Sequence, residues 1–218
     1  MITIENTHVD NIVRAVYSAR NAMNSWDKSD SDWKTDTLGK SDLTLAKKLT
    51  KAGNDHSKFL RMINVTCDII APLYWWKEYD TYKVGTVANS CSTMHKIHAK
   101  EFTLDDFSCE HLTEDVETIN DGITTITETT DWKQTMIDVI YMLNKARDLY
   151  LKTKDKKYWW QMIQLLPSSY NQKRTVQLNY QVLKAMYPDR HVHKLDEWRD
   201  FCAWAESLPY FKEIYLGD

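Results

Sequence analysis

The sequence has 218 residues and a net charge of −3, with 43% hydrophobic and 27% charged residues. This composition is typical of a globular protein, so it excludes the disordered and fibrous classes. The negative charge excludes a generally basic nucleic-acid binder, and we expect no nucleic-acid polymer as a partner. A group of lysines over 152–157 could still meet a phosphate, but we interpret it as a solvated helix end.

The cysteines and the apolar pattern bear on the cellular compartment. The four cysteines show no Cys-x-x-Cys spacing, which argues against a disulfide framework and against a zinc site. Residues 1–10 are polar and acidic, and no apolar run reaches the length of a membrane span. We therefore predict a cytoplasmic protein with reduced thiols and without a membrane partner.

The first predicted elements are helical. Apolar residues at steps of three and four predict an amphipathic helix from Val9 to Met23, and the polar stretch over 24–40 is predicted as a loop or lid. A second helix is predicted to begin at a cap formed by Ser41 or Asp42 and to end at Gly53.

Strand signals follow in the middle of the chain. β-branched residues over 63–74 predict a strand that ends at Ala71-Pro72, and a helix or turn is predicted from Leu73 to Tyr82. The turn signal Asn120-Asp121-Gly122, flanked by β-forming residues, predicts a hairpin or an irregular excursion within 105–131.

Helical periodicity returns towards the C-terminus. It predicts one helix over 136–149, another from about Lys173 to Met186, and a last one that carries Trp198 and stops at Leu208-Pro209. The chain contains 5 glycines and 4 prolines, and so few helix breakers favour long helices.

Two segments have the composition of a binding-site lining. The first, over 75–95, mixes aromatic, acidic, basic and hydroxyl side chains without amphipathic order, although a solvated loop over a small aromatic core is the alternative. The second carries Arg174 and Arg190, predicted at the two ends of a helix, where each could bind an anion through its planar guanidinium. His191 and His193 lack a third ligand at metal-like spacing, so we predict no metal site.

In their order along the chain, these features resemble the flavin-dependent thymidylate synthases. Each motif alone is weak, but the order and spacing match from about 53 to 200. The shared features are His56 before a strand, Ala71-Pro72 at its end, Asn89 and Ser92 three residues apart, Leu166-Pro167, Arg174, Asn179, Leu183, Arg190, His193 and Trp198.

The resemblance implies an α+β fold that is helix-rich around a small central antiparallel sheet. We expect a single domain over 1–218, in which about 53–200 resembles the family core and 1–52 forms N-terminal helices and a loop. The resemblance also implies a homo-oligomer, a tetramer with its sites between subunits.

The same resemblance implies a set of site residues. A pyrimidine nucleotide would be bound by Glu78, Ser92, Arg174 and Arg190, with Ser92 and Arg174 on the phosphate and Arg190 on the ring. FAD would be bound by His56, Lys83, Asn89, Asn179 and His193. Methylenetetrahydrofolate is implied as the co-substrate.

This chain departs from the family pattern at several positions. Where the family has Arg-His-Arg, it has Tyr82-Lys83-Val84, or Thr81-Tyr82-Lys83 with a shift of one residue, so two cations are missing and only Lys83 can stand in. Glu78 stands where the family has Gln, which would weaken the binding of a uracil nucleotide unless Glu78 accepts from an amino group such as that of cytosine. Met94-His95 follow Thr93 where the family has Arg and an aromatic residue.

Three functional hypotheses follow. The first is a flavin- and folate-dependent transfer of a methyl or hydroxymethyl group to C5 of a pyrimidine deoxynucleotide monophosphate. The second is a diverged protein of the same fold that binds a nucleotide or a nucleotide-like ligand without flavin chemistry. The third is an interaction protein that presents a tryptophan-rich face formed by Trp75, Trp76, Trp159 and Trp160.

Overall fold

The computed structural model describes residues 1–120 and 125–217, and it combines helices with a small sheet. In chain order the elements are β1 (Thr3–Asp10), α1 (Ile12–Ala19), α2 (Lys40–Lys51), β2 (Asn64–Pro72), α3 (Leu73–Tyr79), β3 (Val87–Ser90), β4 (Glu114–Asn120), β5 (Thr125–Asp131), α4 (Trp132–Thr153), α5 (Lys156–Leu165), β6 (Asn171–Asn179), α6 (Tyr180–Arg190) and α7 (Asp196–Glu206). The predicted α+β class is confirmed.

Contacts along the chain define two compact units. The smaller unit comprises Met1, Ala71–Tyr74 and Cys91–Gln172, and the larger unit comprises Ile2–Ile70, Trp75–Ser90 and Lys173–Asp218. That the chain folds as one domain over 1–218 stays a prediction.

The larger unit is built on a four-stranded sheet in the order β1-β2-β6-β3. β1 pairs antiparallel with β2, and β3 pairs antiparallel with β6. Along β2, Val65, Cys67 and Ile69 are buried while the residues between them are half-buried, which is the alternation that one covered face produces. The predicted strand and the small antiparallel sheet are confirmed. The expectation of helices and a loop over 1–52 is wrong at its start, since Thr3–Asp10 forms β1.

The N-terminal helices differ from their predicted ends. α1 begins at Ile12 rather than Val9. The N-cap position of α2 is Gly39, so Ser41 and Asp42 lie inside the first turn instead of capping it. The backbone N–H groups of Ser41 and Asp42 donate to the carboxylate of Asp30, at 2.9 and 3.1 Å. A carboxylate from the preceding loop thus satisfies the free donors of this helix end, which local spacing alone does not reveal.

The helix predicted from about Lys173 is wrong over its first half, because this stretch is strand β6. Val176 and Leu178 are buried on alternate positions of the strand, but Val176 and Tyr180, four residues apart, also match the spacing of a helix. The helix α6 begins only after Asn179, whose side-chain oxygen accepts a hydrogen bond from the backbone N–H of Val182 at 3.1 Å. Asn179 is therefore the cap at which the chain changes from strand to helix.

The smaller unit packs α4 and α5 over its own core. That core contains Ile97, Phe102, Phe107, Ile140, Leu143, Ala146 and Met162. The predicted helix over 136–149 is confirmed within α4, which begins after Asp131, the acceptor of a 2.7 Å hydrogen bond from the N–H of Gln134. The sequence did not predict α5.

The hairpin predicted within 105–131 is confirmed. β4 and β5 pair antiparallel in the register Glu114↔Asp131 to Thr118↔Thr127. Asp121 and Gly122 of the predicted turn lie outside the described residues. In the part of the chain that the structure describes, no helix is long and apolar enough to cross a membrane.

Candidate functional site

Arg174, on β6 in the larger unit, is held between a ring and a carboxylate. Its guanidinium carbon lies 4.2 Å from the ring centre of Trp76, and its Nη1 donates to Oδ1 of Asp80 at 2.7 Å. Trp76 belongs to α3 and Asp80 follows the last residue of that helix, so the C-terminal end of α3 positions the arginine. The Arg174 side chain is only 15% exposed, which strengthens the cation–π contact.

Arg190, the last residue of α6, is fixed in a similar way. Its guanidinium carbon lies 4.4 Å from the ring centre of Trp198, and its Nε donates to the hydroxyl of Tyr82 at 2.8 Å. Its Nη1 forms an ion pair with the carboxylate of Glu78. The segment Glu78–Tyr82 thus contacts both arginines. We refer to Glu78, Asp80, Tyr82, Arg174 and Arg190 as the arginine site.

Glu78 receives several donors on one oxygen. Its Oε2 accepts from Arg190 and from Nε1 of Trp198 at 3.0 Å, and it lies 3.4 Å from Nε2 of His193. Nδ1 of His193 accepts from the N–H of Leu195 at 3.2 Å, so the proton of the neutral ring lies on Nε2, the nitrogen nearer to Glu78. Among the described residues, Oε1 of Glu78 and Nη2 of Arg190 take part in no hydrogen bond.

An open cavity of about 490 Å³ lies beside Tyr82. It is lined by Arg61, Thr81, Tyr82, Lys83, Val84, Gly85, Asn179, Gln181, Val182 and Ala185. Arg61 and Lys83 make no ion pair with another described residue, and the lining contains no carboxylate among the residues that the structure describes. The cavity is therefore positively charged, with an apolar wall.

The residues predicted to bind FAD do not line one cavity. Lys83 and Asn179 line the cavity beside Tyr82. His56 is exposed and lines a different concavity, next to Phe59 and Leu49. The two others also lie elsewhere: Asn89 is exposed on strand β3, where it pairs with Thr175, and His193 contacts Glu78. Of the five predicted residues, Lys83 and Asn179 line the cavity beside Tyr82 together.

The chemistry of the cavity nevertheless fits an anionic cofactor with a flat ring. Val84, Val182 and Ala185 provide the apolar wall that such a ring requires. Arg61 and Lys83 provide the positive charge that its anionic groups require. We therefore treat this cavity as the part of the chain that fits a flavin.

Of the four predicted nucleotide residues, three lie in the arginine site: Glu78, Arg174 and Arg190. Ser92 belongs to the smaller unit, where its Oγ accepts from the backbone N–H groups of Met94 at 3.2 Å and His95 at 2.9 Å. Its contact with a phosphate stays a prediction.

The sequence analysis missed several residues of the site. Asp80 and Trp76 were within the segment recognised as site-like, but neither was predicted to contact an arginine. Glu78, Asp80 and Tyr82 follow one another at steps of two directly after the apolar part of α3, and this spacing is the signal that could have found Asp80 and Tyr82. Arg61 carried no comparable signal, because the cavity brings it together with residues distant in sequence.

The tryptophan-rich face of the third hypothesis is wrong for its first two members. Trp75 is 0% and Trp76 is 1% exposed, because both pack into an aromatic cluster with Tyr79. Burial in this cluster raises the pKa of the Tyr79 hydroxyl above its ordinary value. In the smaller unit, Trp160 is 42% exposed, and Nε1 of Trp159 donates to the carbonyl of Met94 at 3.1 Å.

Together, the strands and helices have a fold of known type, that of the flavin-dependent thymidylate synthases. The chain is similar to the flavin-dependent thymidylate synthase ThyX from Helicobacter pylori complexed with FAD and dUMP, with a TM-score of 0.67 and 17% identity over 99% of this chain and 96% of that one. It is also similar to the UMP/dUMP methylase PolB from Streptomyces cacaoi bound with 5-Br dUMP, with a TM-score of 0.62 and 16% identity over 100% of this chain and 95% of that one.

No protein-family model matches the sequence, and no curated protein matches it. The resemblance predicted from the residues is therefore confirmed by the structures, at the level of the fold.

Proposed function

We propose that this chain binds a pyrimidine deoxynucleotide monophosphate and transfers a one-carbon unit, as a methyl or hydroxymethyl group, to C5 of the base. The observation that carries this proposal is the arrangement of Arg174 and Arg190. Each guanidinium is stacked on an indole ring, and each is fixed by a carboxylate from the same segment, Glu78–Tyr82. Two fixed cations beside one segment suit a ligand that carries both a phosphate and a polar ring.

Each arginine has a distinct part in this proposal. Arg174 binds the phosphate, because a planar guanidinium matches the oxygens of a phosphate group. Arg190 orients the pyrimidine ring through Nη2, since its Nε and Nη1 are already engaged by Tyr82 and Glu78. We assign Ser92 to the phosphate as well, on the resemblance alone.

The cavity beside Tyr82 is the proposed site of the flavin. Lys83 and Arg61 would hold its anionic groups, while Asn179 and the apolar wall would face its ring. When bound and reduced, FAD supplies a hydride and methylenetetrahydrofolate supplies the one-carbon unit. The residues of this chain bind and orient the nucleotide and exclude water around it.

We further propose that the active form is a cytoplasmic homo-oligomer, a tetramer by resemblance. His56 and Asn89 do not line the cavity that contains Lys83 and Asn179 within one chain. If all of them contact one cofactor, some must come from a second copy. His193, which contacts Glu78, would lie where nucleotide and cofactor meet.

A nucleotide-binding protein without flavin chemistry is the second candidate. Two observations favour it. Lys83 is the single cation of the segment Thr81–Val84, where the family has two arginines. Three of the five predicted flavin residues also lie outside the cavity beside Tyr82. Both candidates require the arginine site, and only the first requires the cofactor.

The test uses FAD, two nucleotides and two arginine variants. Absorbance spectra are recorded with and without added FAD, and dUMP and dCMP are titrated by calorimetry into wild type and Arg174→Ala. Arg14→Ala is the matched control, because Arg14 also lies over an indole ring, that of Trp33, at 5.8 Å. We expect wild type to bind both flavin and nucleotide. Arg174→Ala should lose nucleotide binding, whereas Arg14→Ala should bind the nucleotides as wild type does.

The possible results separate the candidates. Nucleotide binding without flavin binding would overturn the transfer reaction and support the second candidate. If neither nucleotide binds to wild type, both candidates are wrong.

A further inference from the structure

An unused acceptor and an unused donor belong to the two members of one ion pair in the arginine site, Glu78 and Arg190. Within the described part of the chain, Oε1 of Glu78 accepts no hydrogen bond and Nη2 of Arg190 donates none, while the remaining atoms of both groups are engaged. From this pair we infer that Glu78 selects the base and that the preferred substrate carries cytosine rather than uracil. The inference rests on the proposed function, since it places the base at Arg190.

The pair is held rigidly enough to discriminate. Trp198, which donates to Oε2 of Glu78 and stacks on Arg190, is 0% exposed. The side chain of Arg190 is 14% exposed and that of Glu78 is 35% exposed, so both still reach solvent and a ligand. A carboxylate that accepts two hydrogen bonds at one oxygen is an acceptor only, and its free oxygen can only receive a proton donor.

The two bases differ in what they present to such a pair. Cytosine carries an acceptor at N3 next to the amino donor at N4. On the other side of the amino group lies C5–H, which is not an acceptor. Nη2 of Arg190 can donate to N3 while Oε1 of Glu78 accepts from the amino group, and no further acceptor meets the carboxylate. N3 and the amino group are then both paired, and the remaining acceptor of this edge, O2, lies on the side of the arginine rather than beside the carboxylate.

Uracil cannot satisfy the pair equally well. Its single donor, N3–H, lies between two carbonyl oxygens. If Glu78 accepts from N3–H, Arg190 can donate to one of these oxygens, and the other oxygen lies beside the carboxylate. Two acceptors then face each other without a donor between them, which is costly. A site built around an acceptor-only group therefore discriminates against the base that offers acceptors on both sides.

The experiment measures dissociation constants of dCMP and dUMP by calorimetry for wild type, Glu78→Gln and Asp80→Asn. For wild type we expect dCMP to bind about ten- to a hundredfold more tightly than dUMP, the discrimination of one good pair of hydrogen bonds to a base. Glu78→Gln should lose or reverse this preference, because an amide can donate to a uracil carbonyl as well as accept. Asp80→Asn alters the carboxylate on Arg174 and should shift both nucleotides by the same factor.

The results distinguish this inference from the function on which it rests. If wild type binds dUMP as tightly as dCMP or more tightly, the inference is overturned while the proposed nucleotide site stands. A dCMP preference that persists in Glu78→Gln overturns the role of Glu78. Absence of binding by either nucleotide overturns the proposed function together with the inference. Circular dichroism melting of each variant shows whether a lost preference reflects misfolding. If Glu78→Gln misfolds, Glu78→Asp replaces it, and its preference for dCMP should be weaker than that of wild type.

Discussion

Nη1 of Arg174 lies 2.7 Å from Oδ1 of Asp80, so a carboxylate of the chain already holds the guanidinium that we assign to the phosphate. Asp80 is half exposed while Arg174 is mostly buried, so the carboxylate is the member of the pair that can move into water. A phosphate that reaches Arg174 has to compete with this carboxylate. Asp80 therefore both orients Arg174 and weakens its affinity for an anion.

We predict that Asp80→Asn binds both dCMP and dUMP more tightly, by about two- to fivefold, the range expected when a partly exposed ion pair of 0.2–1 kcal/mol no longer competes. Calorimetry gives the dissociation constants. Deoxycytidine, which lacks the phosphate, is the control ligand, and its affinity should not change. Weaker binding of the monophosphates would mean that Asp80 acts mainly to position Arg174.

Tyr82→Phe tests the positioning of Arg190. The hydroxyl of Tyr82 accepts from Nε of Arg190 at 2.8 Å, and its removal leaves that N–H without its partner. We predict nucleotide binding about two- to tenfold weaker, which corresponds to the 0.5–1.5 kcal/mol of a typical hydrogen bond. Tyr17→Phe is the matched control, since Tyr17 is also half-buried and makes no hydrogen bond within the described residues. Equal affinity of Tyr82→Phe and wild type would remove Tyr82 from the site.

Much of the fold could be predicted from periodicity, but the switch from strand to helix at Asn179 could not. Val176 and Leu178 fit a strand, yet Val176 and Tyr180 also fit a helix, and only the pairing of β6 with its neighbours decides between the two. Tertiary pairing overrides local pattern here, as it does for β1, whose polar residues gave no strand signal.

The arginine site was predicted in its cations and missed in their partners. Arg174 and Arg190 stood out through the resemblance and through their chemistry. The contacts of Arg174 with Trp76 and Asp80 depend on where α3 and β6 meet in space, and that of Arg190 with Trp198 depends on where α6 and α7 meet. Sequence separation conceals both. The same reason explains why Trp76 was expected on a surface although it is buried.

Gly85→Ala tests the cavity beside Tyr82. Gly85 has φ +85°, and a Cβ there would lie 3.0 Å from Cγ2 of Val182 and 3.1 Å from Nδ2 of Asn179. Gly53 has φ +107° with nothing within 4 Å of its Cβ position, so Gly53→Ala carries the backbone strain without the steric overlap. We expect a loss of stability of roughly 1–2 kcal/mol in the Gly53 variant from strain alone.

The Gly85 variant should lose about 1–3 kcal/mol more, because the added methyl group overpacks the start of α6. Urea unfolding measures both losses. Since Gly85 and Asn179 line the proposed flavin cavity, the Gly85 variant should also bind added FAD more weakly, whereas the Gly53 variant should bind it as wild type does. Equal stability of the two variants would show that the loop over 81–85 can move away from α6.

Asp68 predicts how stability changes in acid. Its carboxylate on β2 accepts from Oγ1 of Thr175 at 2.5 Å and from Nδ2 of Asn6 at 3.0 Å, and it pairs with Lys173 at 3.1 Å, so it joins β1, β2 and β6. These contacts, the hydrogen bond from Thr175 first, lower the pKa of Asp68 from 3.8 to about 2. The folded pKa lies below the unfolded one, so this carboxylate contributes its full stability above about pH 4 and loses that contribution as the pH falls towards 2.

Urea titrations at pH 5, 4, 3 and 2 measure the free energy of unfolding of wild type and Asp68→Asn. We expect Asp68→Asn to be less stable than wild type at pH 5. Below pH 4 the free energy of unfolding should fall more steeply in wild type than in Asp68→Asn. Asp27→Asn, which changes an exposed carboxylate, is the control and should follow wild type at every pH. If the free energy of unfolding falls equally steeply in Asp68→Asn and wild type, the proton uptake belongs to other groups.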